Sequence, residues 1–176
     1  MKKSQIRKKI LKKRENNYHK NLNINFNYIL KILKNNKING KVIGGYYPYN
    51  YEVDSLEILN KFEKKNYLIS LPKIKKNFQM EFVCWSSKNP LLINKYGIPE
   101  PVSGKIVTPD ILLVPMVAFD KKLNRVGYGG GFYDRYIKKN KKIFTIGLAF
   151  SFQEIKTVPS NQNDMKLDLI ITEKHN

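Results

Sequence analysis

Apolar residues recur at helical spacing over the first thirty-five positions and then give way to short, dense runs. Ile6, Ile10 and Leu11 fall on one face with basic residues around them, and Leu22, Phe26, Ile29, Leu30 and Leu33 continue the pattern. A helical region from Lys3 to about Asn35 is expected, broken near Asn21–Asn27. Gly40 ends it. Lys41–Tyr47 reads as a strand, Pro48–Asn50 as a turn, and Ser55 to about Lys65 as a helix. That helix turns Leu56, Leu59 and Phe62 inward and is capped by Asp54 or Ser55. Tyr67–Leu71 is expected to be a second strand, stopped by Pro72, and Gln79–Trp85 a third. Tyr96–Pro101 is expected to join no regular element, because its prolines fix φ and lack donors. Ile111–Val114 is continuously apolar, the mark of a strand buried on both faces. Val117–Asp120 follows, then a turn at Lys121–Asn124, a helix over Phe132–Lys139, a buried strand at Phe144–Phe150 and a last strand at Leu167–Ile171. Strands alternating with helices predict an α/β fold. We expect a three-layer α/β/α, Rossmann-like domain of residues 1–176 with a largely parallel sheet and the N-terminal helix packed on the side.

Composition narrows the chemistry. The chain has 176 residues, 41% hydrophobic, with one cysteine and two histidines. A lone Cys84 excludes an internal disulfide framework and a multi-cysteine zinc site. It lies in the apolar run Phe82–Trp85, so it reads as a packed thiol. His19 and His175 sit near the two ends, which argues against a histidine-centred triad. No apolar stretch is long enough to span a bilayer, and the basic N-terminus lacks the apolar region of a signal peptide. A cytoplasmic monomer with no membrane partner is the expectation. The net charge of +19 would attract nucleic acid or small polyanions. Its lysines are spread evenly, however, amid abundant asparagine and isoleucine. This reads as a solvated surface that attracts small anions as a by-product, and no specific nucleic-acid partner is expected.

One stretch stands apart: Arg125-Val126-Gly127-Tyr128-Gly129-Gly130-Gly131-Phe132-Tyr133-Asp134-Arg135. Four glycines in five positions let a ligand approach the backbone, and converging N–H groups bind anions. The expected helix start adds the favourable end of its macrodipole. The segment is not a Walker A loop, since no Gly-Lys-Ser/Thr follows it. Nor is it a dinucleotide fingerprint, because Phe132 stands where the last glycine would fall. A polyphosphate is the ligand best suited to several backbone donors flanked by Arg125 and Arg135. Asp134 is either a Mg²⁺ ligand or a first-turn helix carboxylate. Taken alone, Lys3 and Arg7 belong to a solvated basic face, Asp164 to a turn, and Glu52 to a cap.

Pro115–Asp120 followed by Asn124–Tyr136 closely resembles the 5-formyltetrahydrofolate cyclo-ligase (methenyltetrahydrofolate synthetase) family. The resemblance covers nearly the whole chain. Lys3-Ser4-Gln5-Ile6-Arg7 matches the family's opening Lys-x-x-x-Arg pattern. Leu71–Lys73, Tyr96–Pro101 and Val158–Asp168 fall in order with its other landmarks. The resemblance implies ATP- and Mg²⁺-dependent closure of 5-formyltetrahydrofolate to 5,10-methenyltetrahydrofolate, with ADP and phosphate released. It further implies ATP contacts from Lys3, Ser4, Gln5, Ile6 and Arg7 and from Arg125, Val126, Gly127, Tyr128, Gly129, Gly130, Gly131, Phe132 and Tyr133. Folate contacts would come from Tyr47, Glu52, Trp85, Tyr128, Gly129, Gly130, Gly131 and Phe132, with Glu52 as the pterin-binding acid. Asp134 and Asp164 would hold Mg²⁺, and Arg125, Tyr133 and Asp134 would carry the catalysis. Tyr46, Phe82 and Tyr96 are further candidates to line the flat rings. Two departures stand out: Asn163 where the family commonly has histidine, and Tyr128 and Gly130 where some members carry basic residues. A basic nucleic-acid-binding protein, or a same-fold enzyme turned to another ATP-dependent reaction, is the competing reading.

Overall fold

The protein is described by a computed structural model over residues 1–17 and 22–175; His19 and Asn21 of the expected helical region lie outside the described residues. The N-terminal region forms two helices, α1 (Lys3–Asn16) and α2 (Phe26–Asn35). Asn25 starts α2 by accepting the Asn27 and Tyr28 N–H groups on Oδ1, two of the donors that a helix start leaves unpaired. The first strand, β1 (Val42–Gly44), leads to α3 (Ser55–Glu63), capped by Asp54 through the N–H groups of Leu56 and Glu57. Ser55 is buried and donates instead to the Tyr46 carbonyl.

The strands β2 (Leu68–Ile74), β3 (Met80–Cys84), β4 (Leu91–Ile93), β5 (Pro99–Pro101) and β6 (Ile106–Val107) follow. Then come β7 (Ile111–Pro115), β8 (Ala118–Phe119), β9 (Arg125–Val126), α4 (Phe132–Lys139), β10 (Phe144–Leu148) and β11 (Leu169–Ile171). The main sheet has the order β11-β10-β7-β1-β2-β3-β6. Its first five strands are parallel, while β3 and β6 run antiparallel to their neighbours. The continuous apolar run of β7 divides as expected between two faces. Ile111 and Leu113 join the core beneath α2 and α3, whereas Leu112 and Val114 join the core beneath α4. These two cores define the three layers. Helix α1 packs at the side, where Ile6 and Ile10 meet Val117, Ala118 and Val126 of the β8–β9 hairpin.

Proline did not stop the strands where the sequence suggests. β2 runs through Pro72, and β5 is bounded by Pro99 and Pro101. In both cases the register supplies the reason. The Cys84 N–H donates to Lys105, away from β2, so the Ser70–Cys84 and Pro72–Phe82 pairs exchange no ladder bonds. The Pro72 nitrogen therefore faces the side on which β1 has already ended. Likewise the Asn94 N–H donates to Ile98, so in β4–β5 the bonded type of pair falls at Leu92–Glu100 and both prolines point their nitrogens outward.

Candidate active site

The strand order fixes where a ligand can enter. From β1 the chain crosses to β2 on one side; from β7 it crosses to β10 on the other. Ligands bind at such a switch point, beyond the carboxyl ends of the strands. A cleft of about 570 Å³ lies there, within the range of small-molecule sites. Tyr46 and Tyr47 after β1, Pro115 ending β7, and Pro72 and Ile74 of β2 form part of its wall.

The glycine segment forms another part. The β8–β9 hairpin aims it: Asp120, buried at the turn, accepts the N–H groups of Lys122, Asn124 and Val158. Against the desolvation that raises it, these bonds and the Asn124 side chain hold the Asp120 carboxyl below its ordinary value. Gly129 and Gly131 adopt φ of 109° and 66°, the left-handed region open to glycine. Gly131 is the N-cap of α4 and offers no side chain to the helix start. The first-turn N–H groups of Phe132, Tyr133 and Asp134, which have no intrahelical partner, thus begin a helix whose opening residues all line the cleft.

Helix α1 supplies basic groups from one stripe. Lys3, Arg7 and Arg14 recur at i, i+4 and i+11, so all three share the inward side with Ile6 and Ile10. Arg7 Nε donates to the Gly127 carbonyl at 2.7 Å. Lys3 Nζ meets Asp164 at 2.6 Å. Arg125, only 7% exposed, holds Asp134 Oδ1 at 2.9 Å and the Met165 carbonyl at 2.5 Å. Lys3, Arg7, Arg125, Asp134 and Asp164 all line the cleft. The Asp164 carboxyl is raised by desolvation, but Lys3, the Asn161 N–H and Arg125 outweigh this and hold it below its ordinary value.

Glu52 lies at another part of the same wall, 7% exposed. Its Oε2 accepts the Tyr49 N–H at 2.9 Å, while Oε1 is buried with no hydrogen-bond partner among the described residues. Burial pushes its carboxyl up to about 7, against the pull of Arg14, the Tyr49 N–H and the Tyr128 hydroxyl. Burial and the Glu52 charge also raise the Tyr133 and Tyr128 hydroxyls well above the ordinary tyrosine value.

Fourteen of the expected site residues thus meet in one cleft: Lys3, Arg7, Tyr47, Glu52, Arg125, Gly127 through Asp134, and Asp164. Five stand outside it. Ser4 and Gln5 face solvent. Ile6 and Val126 are core residues under the hairpin. Trp85 packs against the core beneath α2 and α3 and donates Nε1 to Asn89. Of the additional ring candidates, Tyr46 and Tyr96 line the cleft whereas Phe82 is wholly buried core. Arg135 departs from its expected role as well. It donates to the Phe78 and Gly130 carbonyls, bracing the glycine segment from outside the cleft. Arg14, which carried no sequence motif, is the functional candidate that sequence reasoning missed. Its signal was its spacing: a basic residue in phase with Ile6 and Ile10.

Asp134 and Asp164 both line the cleft, and Mg²⁺ takes one or two carboxylates from a protein and completes its shell with phosphate oxygens and water; here both Asp164 oxygens accept from Lys3 Nζ. Among the described residues, no hydrogen bond reaches Oδ2 of Asp134, which leaves an oxygen suited to a cation. No cage of three or more His, Cys, Asp or Glu stands together among them. Nor is any described helix long and apolar enough to cross a membrane.

At the switch point of the α/β sheet, a glycine-lined helix start and a buried acid share one cleft, and comparison with known proteins gives the class of the chain as an enzyme, a cyclo-ligase. The profile of the 5-formyltetrahydrofolate cyclo-ligase family matches residues 1–173, and the chain belongs to that family. It is 33% identical over 142 residues to the 5-formyltetrahydrofolate cyclo-ligase of Haemophilus influenzae, covering 74% of this chain and 75% of the relative. The NMR structure of Aquifex aeolicus 5,10-methenyltetrahydrofolate synthetase superposes with a TM-score of 0.77 at 32% identity, over 99% of this chain and 91% of that one. The Mycoplasma pneumoniae synthetase gives 0.72 at 26% identity, over 99% and 100%.

Proposed function

We propose that the protein closes 5-formyltetrahydrofolate to 5,10-methenyltetrahydrofolate at the expense of ATP, with Mg²⁺ bound. The carrying observation is that one cleft joins an uncapped, glycine-lined helix start to a buried acid with an unpartnered oxygen. The first suits phosphate; the second suits the N–H groups of a pterin.

The chemistry explains the absence of a nucleophile from this proposal. A formyl group on nitrogen is an amide, whose oxygen is a poor leaving group. Its oxygen attacks the γ-phosphorus, ADP departs, and an iminium phosphate forms. N10 then adds to the activated carbon and loses its proton, and the C–O bond breaks to release phosphate. The protein's work is positioning and charge neutralisation. The Gly127–Gly131 backbone and the α4 first turn hold the phosphates, with Lys3 and Arg7 reaching in from α1. Glu52 orients the pterin, and Tyr47 and Phe132 line its pocket. Mg²⁺, held by Asp134 and Asp164, would neutralise charge on the phosphate oxygens. Arg125 keeps the Asp134 carboxylate aimed at the cleft.

The test follows methenyltetrahydrofolate absorbance with 5-formyltetrahydrofolate, ATP and Mg²⁺. Turnover is expected, and folded protein without turnover would overturn the proposal. Asp134→Asn is expected to lower kcat by about a hundredfold or more, with a smaller loss of thermal stability because its oxygen also accepts Met165 and Arg125.

A further inference from the structure

Arg14 is a charged side chain with no exposure to solvent. Such burial is rare without partners, and its partners come from three distant segments. Nη2 donates to the Met116 carbonyl at 2.6 Å, just beyond β7. Nη1 donates to the Asn50 carbonyl at 3.1 Å and to the Tyr128 hydroxyl at 2.9 Å. Nε has no hydrogen-bond partner among the described residues. The Asn50–Tyr51 turn that it grips has φ of 49° and 59°, and Glu52 follows directly. The Tyr128 hydroxyl in turn reaches the Tyr49 carbonyl at 3.3 Å. The guanidinium thus joins the end of α1 to the turn that presents Glu52 and to the glycine segment.

We infer that Arg14 is a positioning residue of the site, holding the Glu52 turn and Tyr128 in one arrangement and supplying the counter-charge to the Glu52 carboxylate. The planar guanidinium spreads its donors over a rigid fork, so Nη1 and Nη2 reach acceptors on three separate segments; a lysine ammonium gathers its three donors at one point on a flexible stem and loses that spacing. The counter-charge is needed because the other groups facing Glu52 are the neutral hydroxyls of Tyr46, Tyr128 and Tyr133. Arg14 therefore acts on folate through Glu52, from a helix whose first turn serves the phosphate end of the cleft. The inference rests on Glu52 being the folate-facing acid.

Arg14→Met and Arg14→Lys test it by steady-state kinetics across pH. Arg14→Met is expected to raise KM for 5-formyltetrahydrofolate by about tenfold or more, with a smaller change in KM for ATP. Without the counter-charge, the pH below which folate use fails moves upward. Arg14→Lys keeps the charge and loses the fork, so it retains the wild-type pH profile with a raised KM. In a Glu52→Gln background the effect of Arg14→Met on folate KM should largely vanish, the mark of two residues acting as one unit. Unchanged folate KM and pH profile in folded Arg14→Met overturns the inference, and so does full additivity in the double variant. If Glu52→Gln alone leaves folate KM unchanged, the functional reading of Glu52 fails instead. Should Arg14→Met not fold, the unsubstituted protein decides: the ¹⁵N signals of the Arg14 guanidinium are expected to move on adding 5-formyltetrahydrofolate, and their standing still refutes the proposal.

Discussion

At Glu52, stability and the proposed function pull in opposite directions. A carboxyl raised from 4.5 to about 7 by burial binds its proton more tightly folded than unfolded. Its stabilising contribution is complete below pH 4.5 and is lost as pH rises through about 7. That rise corresponds to roughly 3 kcal/mol at pH 8. The opposing pull of Arg14 is already contained in it. Glu52→Gln mimics the protonated acid, so at pH 8 it is expected to be more stable than the wild type by up to about this amount, and equal to it near pH 4. Thermal unfolding at the two pH values checks this; a variant less stable at pH 8 would contradict the assignment. The same variant should use folate poorly, since binding sites are often built against stability.

At the scale of elements, the glycine segment is not uniform. Gly131 combines φ of 66° with a site where an added Cβ would lie 2.8 Å from Arg135 Nη1. Gly127 has neither constraint: its φ is ordinary and the space around it is open. Gly131→Ala is therefore expected to lose about 1–2 kcal/mol of stability, and Gly127→Ala far less, as measured by urea unfolding. Equal losses would show that glycine is needed here for flexibility rather than for a fixed turn. Helix α1 carries a related lesson. Its inward stripe alternates Ile6 and Ile10 with Lys3, Arg7 and Arg14, so an apolar count understates how much of it is internal. The helix is legible from its spacing, but the buried cation is not. Only the docking of α1 beside the hairpin brings Arg14 to Met116, Asn50 and Tyr128. The prolines of β2 and β5 misled for the converse reason. A missing N–H matters only on the bonded side of a strand, and which side that is depends on register.

For the whole molecule, the net charge of +19 accompanies a cleft for which we propose two polyanionic substrates. Electrostatic steering predicts that kcat/KM for ATP and for 5-formyltetrahydrofolate falls as salt rises from 20 to about 300 mM, while kcat changes little. A kcat/KM independent of salt would show that the surface lysines play no part in capture.

Local pattern determined the alternation of strands and helices, the buried run at Ile111–Val114, the helix start at Phe132 and the glycine segment before it. Each rests on residues close together along the chain, where spacing and φ preferences act directly. Glu52, Lys3, Arg7 and Asp164 were legible only through family resemblance, since taken alone each reads as a cap, a turn or a solvated face. The tertiary structure decided which of them share a cleft, that Trp85, Phe82 and Arg135 stand outside it, and that Arg14 lies beneath it. The reason is physical: the burial and charge environment of a side chain depend on segments distant in sequence, and these meet only when β1 and β7 lie side by side and send the chain to opposite sides.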